Sequence, residues 1–573
     1  MSTKPLPIPT LEETFERAVT AVTAVSAVAD EATLARTQDA VASFTRGQGA
    51  HLQQELESFA EREQKEGRSW LSADWLDAYF TVREPLQLST NVEFQLNGET
   101  LQGEGVVRAA EFLSRAVTVH LAQAQGRTEP ETDFRGNQMD MGQWACFAGG
   151  VREPKAEKDQ FTPATVQHRR EVGVFYRGRL YAVAVTSQDG TILSPQRLQQ
   201  ALEEIVSYEA ESAEVPFAAV SSLGSGVLGG GLLGELLSAG TNAQTYRRLT
   251  NLLLTLTLVP EAQENTEHLR TLAFEPGHAW VYKPLSYSVG LQDSWLGVHV
   301  EHSTVDGATL VTAIKRMQEV ELSSAEVAEE EATITELSWN MPAELTQKIA
   351  QQVVAYSDLA AEYTVRTVLE PWLPAEELPF KMSADALLQI CMATAQHLTF
   401  GTVRAAYEAV DMREFQAGRT ECIRPVTPEN VALAQALANG TATEEQLNAV
   451  LQAHRGWVKA CKSGKGFDRH VLGLQLAADR LGEPFALADD AGLQIARTDF
   501  LSTTSVGAPT QVVRYVFAPT VANGFGISYA PFPDELAFCV TYRASCAEKP
   551  QEFLANLSRS VQLLREFVCS LGA

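Results

Sequence analysis

The sequence predicts a two-domain chain of α/β or α+β class, and three observations carry the prediction. Its 573 residues are too many for one ordinary hydrophobic core. Strand-like and helix-like stretches alternate from about Val92 to the end. An acidic run poor in aromatics, Glu319 to Glu331, interrupts the alternation and reads as a solvated linker between two halves. A cleft between such halves is where a small-ligand site is expected.

Taken in chain order, Thr10 to about Glu66 places apolar residues at helical spacing, with Ala, Glu, Gln and Leu dominant, so the chain opens with a helical segment. The run Gly173 to Val185 reads as a hairpin, and Ser194 to Ser207 as a helix that opens with Ser-Pro. Phe217 to Leu237 is apolar but carries Gly224, Gly226, Gly229, Gly230, Gly231 and Gly234. Those glycines make a poor membrane helix, and a Gly-rich loop leading into a helix near Leu232–Leu237 is expected. It lacks the Gly-Lys-Ser/Thr ending of a phosphate-binding P-loop.

Tyr246 to Leu258 fits either helix or strand. Ala279 to Val289 and Ser294 to Val300 then form an expected hairpin. In the second half, Ala384 to Leu398 and Glu429 to Ala453 are helix-rich. Gln511–Phe517, Gly524–Tyr529 and Glu535–Tyr542 read as an antiparallel set, and a last helix covers Pro550 to Leu571.

Charge and cysteines narrow the function classes. The net charge of −27 argues against sequence-independent nucleic-acid binding and against adhesion to an anionic membrane. The seven cysteines show no Cys-x-x-Cys pair and no metal-like spacing with histidine, so reduced thiols, no metal centre and a cytoplasmic setting are expected. The first nine residues hold three prolines and no apolar signal core, which suggests a protein made in its final form.

Among ten histidines, His302 stands apart. It follows the strand-like run Trp295–Val300 and precedes an Asp306-Gly307 turn, so its imidazole can be aimed into a cleft as a general base. Taken by itself such a histidine is more often structural or exposed than catalytic, although His-x-x-x-Asp-Gly occurs in several acyl-transfer enzymes.

Further motifs choose among these. Leu6 to Thr14, Trp70-Leu71-Ser72-Ala73-Asp74-Trp75, Trp280-Val281-Tyr282-Lys283, Tyr407-Glu408-Ala409, Phe415 to Arg424, Gln452 to Gly456, Gly466 to Leu474 and Leu501-Ser502-Thr503-Thr504-Ser505 follow one another in order. Together with the His302 motif they resemble the choline/carnitine O-acyltransferase family over nearly the whole chain. The resemblance implies an α/β fold of two chloramphenicol-acetyltransferase-like domains with the active site at their interface. Residues 1–85 would be a helical segment packed on the C-terminal domain. Residues 86–340 would form the N-terminal catalytic domain, and residues 341–573 the domain carrying the acceptor and oxyanion residues.

The resemblance also implies roles. His302 would take the hydroxyl proton of carnitine in a direct attack on a coenzyme A thioester, with no acyl-enzyme and no permanently bound cofactor. Thr504 stands where the family has a hydroxyl for the tetrahedral oxyanion, usually serine. Asp306 would orient the catalytic loop, through Arg419, or serve only as a turn residue. Arg469, Tyr407 and Thr420 match the carnitine branch's set for the acceptor carboxylate, since a guanidinium can bind a carboxylate through two parallel bonds. Ser502 would lie near that carboxylate or be an ordinary strand-edge serine. Tyr515 stands where the family sets acyl length, and a bulky residue there would restrict the enzyme to acetyl or another short group. If it is only a core aromatic, chain length stays open.

Donor binding departs from the family. Lysines usually precede the segment matching Lys381 to Ala386, but this chain has no Lys or Arg between Arg366 and Lys381, and has Glu370, Glu376 and Glu377 instead. That leaves Lys381, Asp385 and Arg455 as coenzyme A contacts, with Lys462 or Lys465 as substitutes. A carrier protein's pantetheine thioester or another acceptor alcohol is the runner-up among enzymes, although the negative charge would repel an acidic carrier. A non-catalytic acyl-ligand-binding protein is the alternative of another class. A monomer working on small molecules in fatty acid metabolism is the overall expectation.

Overall fold

The computed structural model describes residues 3–133, 135–165, 167–208, 215–321 and 327–572. Two large sheets organise the chain. The first has eight strands in the order Val512–Phe517, Val92–Leu96, Leu296–Val300, Leu285–Gly290, Thr255–Val259, Glu171–Tyr176, Arg179–Ala184 and Ile334–Leu337. The second has six, in the order Tyr363–Pro371, Glu535–Arg543, Phe525–Pro531, Leu501–Thr504, Ala406–Asp411 and Thr420–Ile423. Both sheets mix parallel and antiparallel neighbours and are faced by helices, so the chain is of α/β class.

Local chemistry explains the helix ends. Thr10 caps Leu11–Ala24 in a capping box with Glu13, and Ser194 accepts from Arg197 N–H ahead of Pro195 at the start of Pro195–Ser207. Ser383 caps Ala384–Phe400, which ends at Gly401 in the left-handed region with φ +72°. The final helix spans Pro550–Leu571.

The N-terminal helices share a core with the second half of the chain. Phe15 packs on Phe44 and Phe44 on Phe485, with ring centroids 5.3 and 5.5 Å apart. Thr37 Oγ1 donates to Asp490 at 2.7 Å, and Thr14 shares a 2.6 Å hydrogen bond with His470 Nδ1.

Several elements depart from the sequence reading. Within the acidic run, residues 322–326 lie outside the described residues, and the chain beyond it does not pass at once into the second half. Ile334–Leu337 first pairs with Arg179–Ala184 at the edge of the first sheet. Helix Ala343–Ala360 then buries Leu345, Ile349 and Tyr356 in the same cluster as Phe217 and Trp280. Nor does Gln511–Phe517 belong to an antiparallel set with its successors. Val512–Phe517 crosses over to pair with Val92–Leu96, while Phe525–Pro531 pairs with Glu535–Arg543 and runs parallel to Leu501–Thr504. Its nearly continuous apolar run, broken only by Arg514, suits a buried strand of either sheet, so only the crossover decides.

The glycine-rich stretch is helical rather than a loop. It turns by 92° at Gly224, whose φ is +80°, and continues as a helix from Ser225 to Ser238 that buries Leu228, Leu232 and Leu236. A Cβ on Gly229 would lie 1.9 Å from Lys155 O, so glycine there allows a close backbone approach. Among the described residues no single helix is long and apolar enough to cross a membrane. The ambiguous Tyr246–Leu258 stretch divides into helix Asn242–Asn251 and strand Thr255–Val259. The hairpin strand begins only at Leu285, because Lys283 turns inward to donate to the carbonyls of Gly150, Thr250 and Leu252.

Candidate active site

A cavity of about 260 Å³ lies where the two sheets meet. His302, Asp306, Val92 and Phe94 reach it from the first half, and Tyr407, Thr420, Ser502, Thr503 and Thr504 from the second. Tyr515 and Phe517 come from the crossover strand, and Trp75 and Tyr79 from helix Ser72–Phe80. Residues more than 400 positions apart therefore share one chamber.

His302 follows strand Leu296–Val300, and its two neighbours are pinned. Glu301 is fully buried, pairs with Arg152 at 3.0 Å and accepts from Ser303 Oγ at 2.5 Å. His302 Nδ1 lies 2.6 Å from the backbone oxygen of Val305. A carbonyl can only accept, so Nδ1 carries the proton and Nε2 keeps its lone pair. No protein group is hydrogen-bonded to Nε2 among the described residues. The ring edge meets Tyr79 with centroids 5.9 Å apart.

Asp306 stands behind this histidine, its Oδ1 3.8 Å from Nδ1. Arg419 grips both carboxylate oxygens at 2.7 and 3.0 Å, and Gln143 supplies a further donor at 2.8 Å. Burial works against ionising Asp306, yet the Arg419 guanidinium holds its carboxyl below the usual carboxylate range. The chamber thus keeps an anion beside an imidazole whose other nitrogen is available to take a proton.

Three residues of the second half converge on the opposite side. Arg469, in the first turn of helix Asp468–Leu481, donates to Thr420 O at 3.0 Å, Tyr407 Oη at 3.2 Å and Thr420 Oγ1 at 3.5 Å. Its guanidinium also stacks on Trp75, 4.4 Å from the ring centroid. Buried Glu421 lies alongside, accepting from Arg469 N–H at 3.3 Å. Burial pushes its carboxyl up to about 7, against the pull of Arg469.

Strand Leu501–Thr504 presents Ser502 and Thr504 to the cavity, and its register is held by Thr503 Oγ1 donating to Tyr407 O at 2.7 Å. Tyr515 is buried, stacks on Phe94 with centroids 4.8 Å apart and brings its phenol 3.3 Å from Thr504 Oγ1. A hydroxyl donor opposite a base fits an oxyanion generated in acyl transfer.

The residues selected for donor contacts do not line this chamber. Lys381 and Arg455 are exposed on the surface. Asp385 accepts from His454 at 2.8 Å and from Tyr529 at 2.8 Å. Lys462 and Lys465 are occupied by Glu414 and Glu13 at 3.0 and 2.6 Å. Asp385, Glu408 and His454 bring ligating atoms within 4.8 Å of one another. The cluster suits a shared proton better than a cation, because His454 spends its Nε2–H on Asp385 and burial with Asp385 raises the Glu408 carboxyl well above its ordinary value.

Sequence reasoning missed Tyr79, Phe94, Gln143 and Arg152. Tyr79 alone left a signal, four residues after Trp75 and hence on the same helix face. The others are set by tertiary contacts.

Residues 6–559 match the choline/carnitine O-acyltransferase family. Carnitine O-acetyltransferase of Mus musculus is 25% identical over 95% of this chain and 90% of its own length. The mitochondrial carnitine O-palmitoyltransferase 2 of the same species is 25% identical over 92% and 86%. Among solved structures, the trichothecene 15-O-acetyltransferase of Fusarium sporotrichioides overlays at a TM-score of 0.32 and 12% identity, covering 56% of this chain and 79% of that one. With a match that spans all but the two ends, the chain belongs to the choline/carnitine O-acyltransferase family.

Proposed function

We propose that this protein transfers a short acyl group, acetyl in the first place, between coenzyme A and the hydroxyl of carnitine. One observation carries the reading: a single cavity collects His302, Thr504, Tyr407, Thr420 and Ser502, with Arg469 hydrogen-bonded to Tyr407 at its wall. The similarity to carnitine O-acetyltransferases supports carnitine as acceptor.

His302 Nε2 takes the carnitine hydroxyl proton as the oxygen attacks the thioester carbonyl. Asp306, held ionised by Arg419, stabilises the resulting imidazolium. The Thr504 hydroxyl donates to the tetrahedral oxyanion. Collapse breaks the C–S bond, and the departing thiolate receives the proton from Nε2. Arg469, with Tyr407, Thr420 and Ser502, receives the acceptor carboxylate. Tyr515 against Phe94 fills the space a longer acyl chain would need.

For the donor we assign Lys381, Asp385 and Arg455. Arg455 follows His454, which bonds Asp385 in the first turn of Ala384–Phe400, so both cations border a helix N-terminus suited to phosphate. A pantetheine thioester on a carrier is the second reading, favoured by the absence of any cation between Arg366 and Lys381.

Thiol release from acetyl-coenzyme A, with carnitine, choline or no acceptor, tests the proposal. Carnitine-dependent release is expected in the wild type, and a loss of about 10²–10⁴-fold in His302→Ala. No carnitine-dependent release at millimolar donor would overturn it.

A further inference from the structure

Tyr515 does more than fill space. Its phenol lies 3.3 Å from Thr504 Oγ1, and both residues line the cavity that holds His302. Among the described residues that phenol is the one hydrogen-bond partner of the Thr504 hydroxyl. Resting on the function proposed above, we propose that Tyr515 is a positioning residue, whose O–H donates to Thr504 and thereby turns the single Thr504 proton toward the reacting oxygen.

The argument is one of donor counting. A hydroxyl has one proton and two lone pairs, and its torsion is set by whichever partners it finds. Buried and away from cations, the Tyr515 phenol is held neutral, since burial pushes its pKa up, so it keeps a proton to donate. When Thr504 Oγ1 accepts that proton, its own O–H is directed away from Tyr515. The donor is then oriented before charge develops, and a hydroxyl already accepting a hydrogen bond is polarised as a donor.

Tyr515 itself is fixed from both sheets. Phe94 is its cross-strand partner in the first sheet, and the two rings stack at 26°. Ser528, in the second sheet, donates its hydroxyl to Tyr515 O at 2.5 Å and accepts from Tyr515 N–H at 3.3 Å. Ser528 is also the parallel partner of Thr504, so one residue sets the positions of both hydroxyl-bearing side chains.

Tyr515→Phe separates this role from gating, because it keeps the ring and removes only the phenol oxygen. The experiment measures kcat and both KM values with acetyl- and octanoyl-coenzyme A for wild type, Tyr515→Phe, Thr504→Ala and the double variant. Expected in Tyr515→Phe is a fall in kcat of about 3–10-fold, with KM values within about twofold and the chain-length preference unchanged. Thr504→Ala should lose about 10²–10³-fold, and the Phe substitution should then cost nothing more. Thr504→Ser should retain activity and remain sensitive to Tyr515→Phe. Wild-type kcat in Tyr515→Phe, or an equal loss in the Thr504→Ala background, would overturn the inference while leaving the function standing. An inactive wild type would instead overturn the function, and this role with it.

Discussion

Arg419 holds both carboxylate oxygens of Asp306, at 2.7 and 3.0 Å, and with the same guanidinium reaches the carbonyls of Ser303 and His302 at 2.5 and 3.2 Å. Arg419 immediately precedes the edge strand of the second sheet, whereas Asp306 lies in the loop leaving the first. One ion pair therefore fastens the histidine loop across the junction. Both side chains are nearly buried, so the pair is worth more as a positional constraint than as net stability.

Asp306→Asn should leave Arg419 without its counter-charge and destabilise the fold by about 3–5 kcal/mol, measured by urea unfolding. The acid limb should also change. The folded Asp306 carboxyl is depressed, so its contribution is present above the unfolded value of 3.8 and is lost as pH falls through the lower folded value. The Asn variant should lack that part of the acid dependence. Equal acid sensitivity in both proteins would contradict it.

Arg469→Asn should raise the KM for carnitine on the order of 10–100-fold while moving the donor KM little, because a charge-assisted contact to the carboxylate is lost. Steady-state kinetics with each substrate varied decide the point. Equal increases for both substrates would remove Arg469 from acceptor recognition.

Glu421 gives a pH signature near neutrality. Its carboxyl is pushed from 4.5 up to about 7 in the folded chain, so the stability this group contributes is complete below 4.5 and is lost as pH rises through 7. Over the same window its new negative charge competes with substrate carboxylate for Arg469. The carnitine KM should therefore rise as pH passes 7 in the wild type and flatten in Glu421→Gln. A KM profile unchanged by the substitution would refute the coupling.

Tyr515→Gly should admit octanoyl donors, at a cost of about 3–5 kcal/mol of stability for emptying a buried aromatic site against Phe94. Donor competition between acetyl and octanoyl thioesters reads the change. An unchanged preference would show that the ring does not set chain length.

Much of the candidate site was legible in the sequence, for identifiable reasons. His302 was marked by the strand before it and the Asp-Gly pair after it; the expected Asp-Gly turn is instead the start of helix Gly307–Gln318 with Asp306 as its N-cap, which still leaves His302 in a short strand-to-helix loop. The Leu501–Ser505 and Gly466–Leu474 motifs mark their residues by order along the chain. Phe94 and Gln143 were illegible because each acts through a contact with a residue distant in sequence, Tyr515 and Asp306, whereas Tyr79 left only its helical spacing from Trp75 as a signal.

By itself the sequence determined the α/β class, the Ser-Pro opening of the helix at Ser194 and the residue types gathered around His302, since these follow from local periodicity, capping chemistry and motif order. Only the tertiary structure decided that Val512–Phe517 leaves its neighbours for the first sheet, that Arg419 clamps Asp306 and that Tyr515 meets Thr504. A largely apolar strand such as Val512–Phe517 can pair in either sheet, and long-range pairing is chosen by the whole packed core rather than by any window of residues.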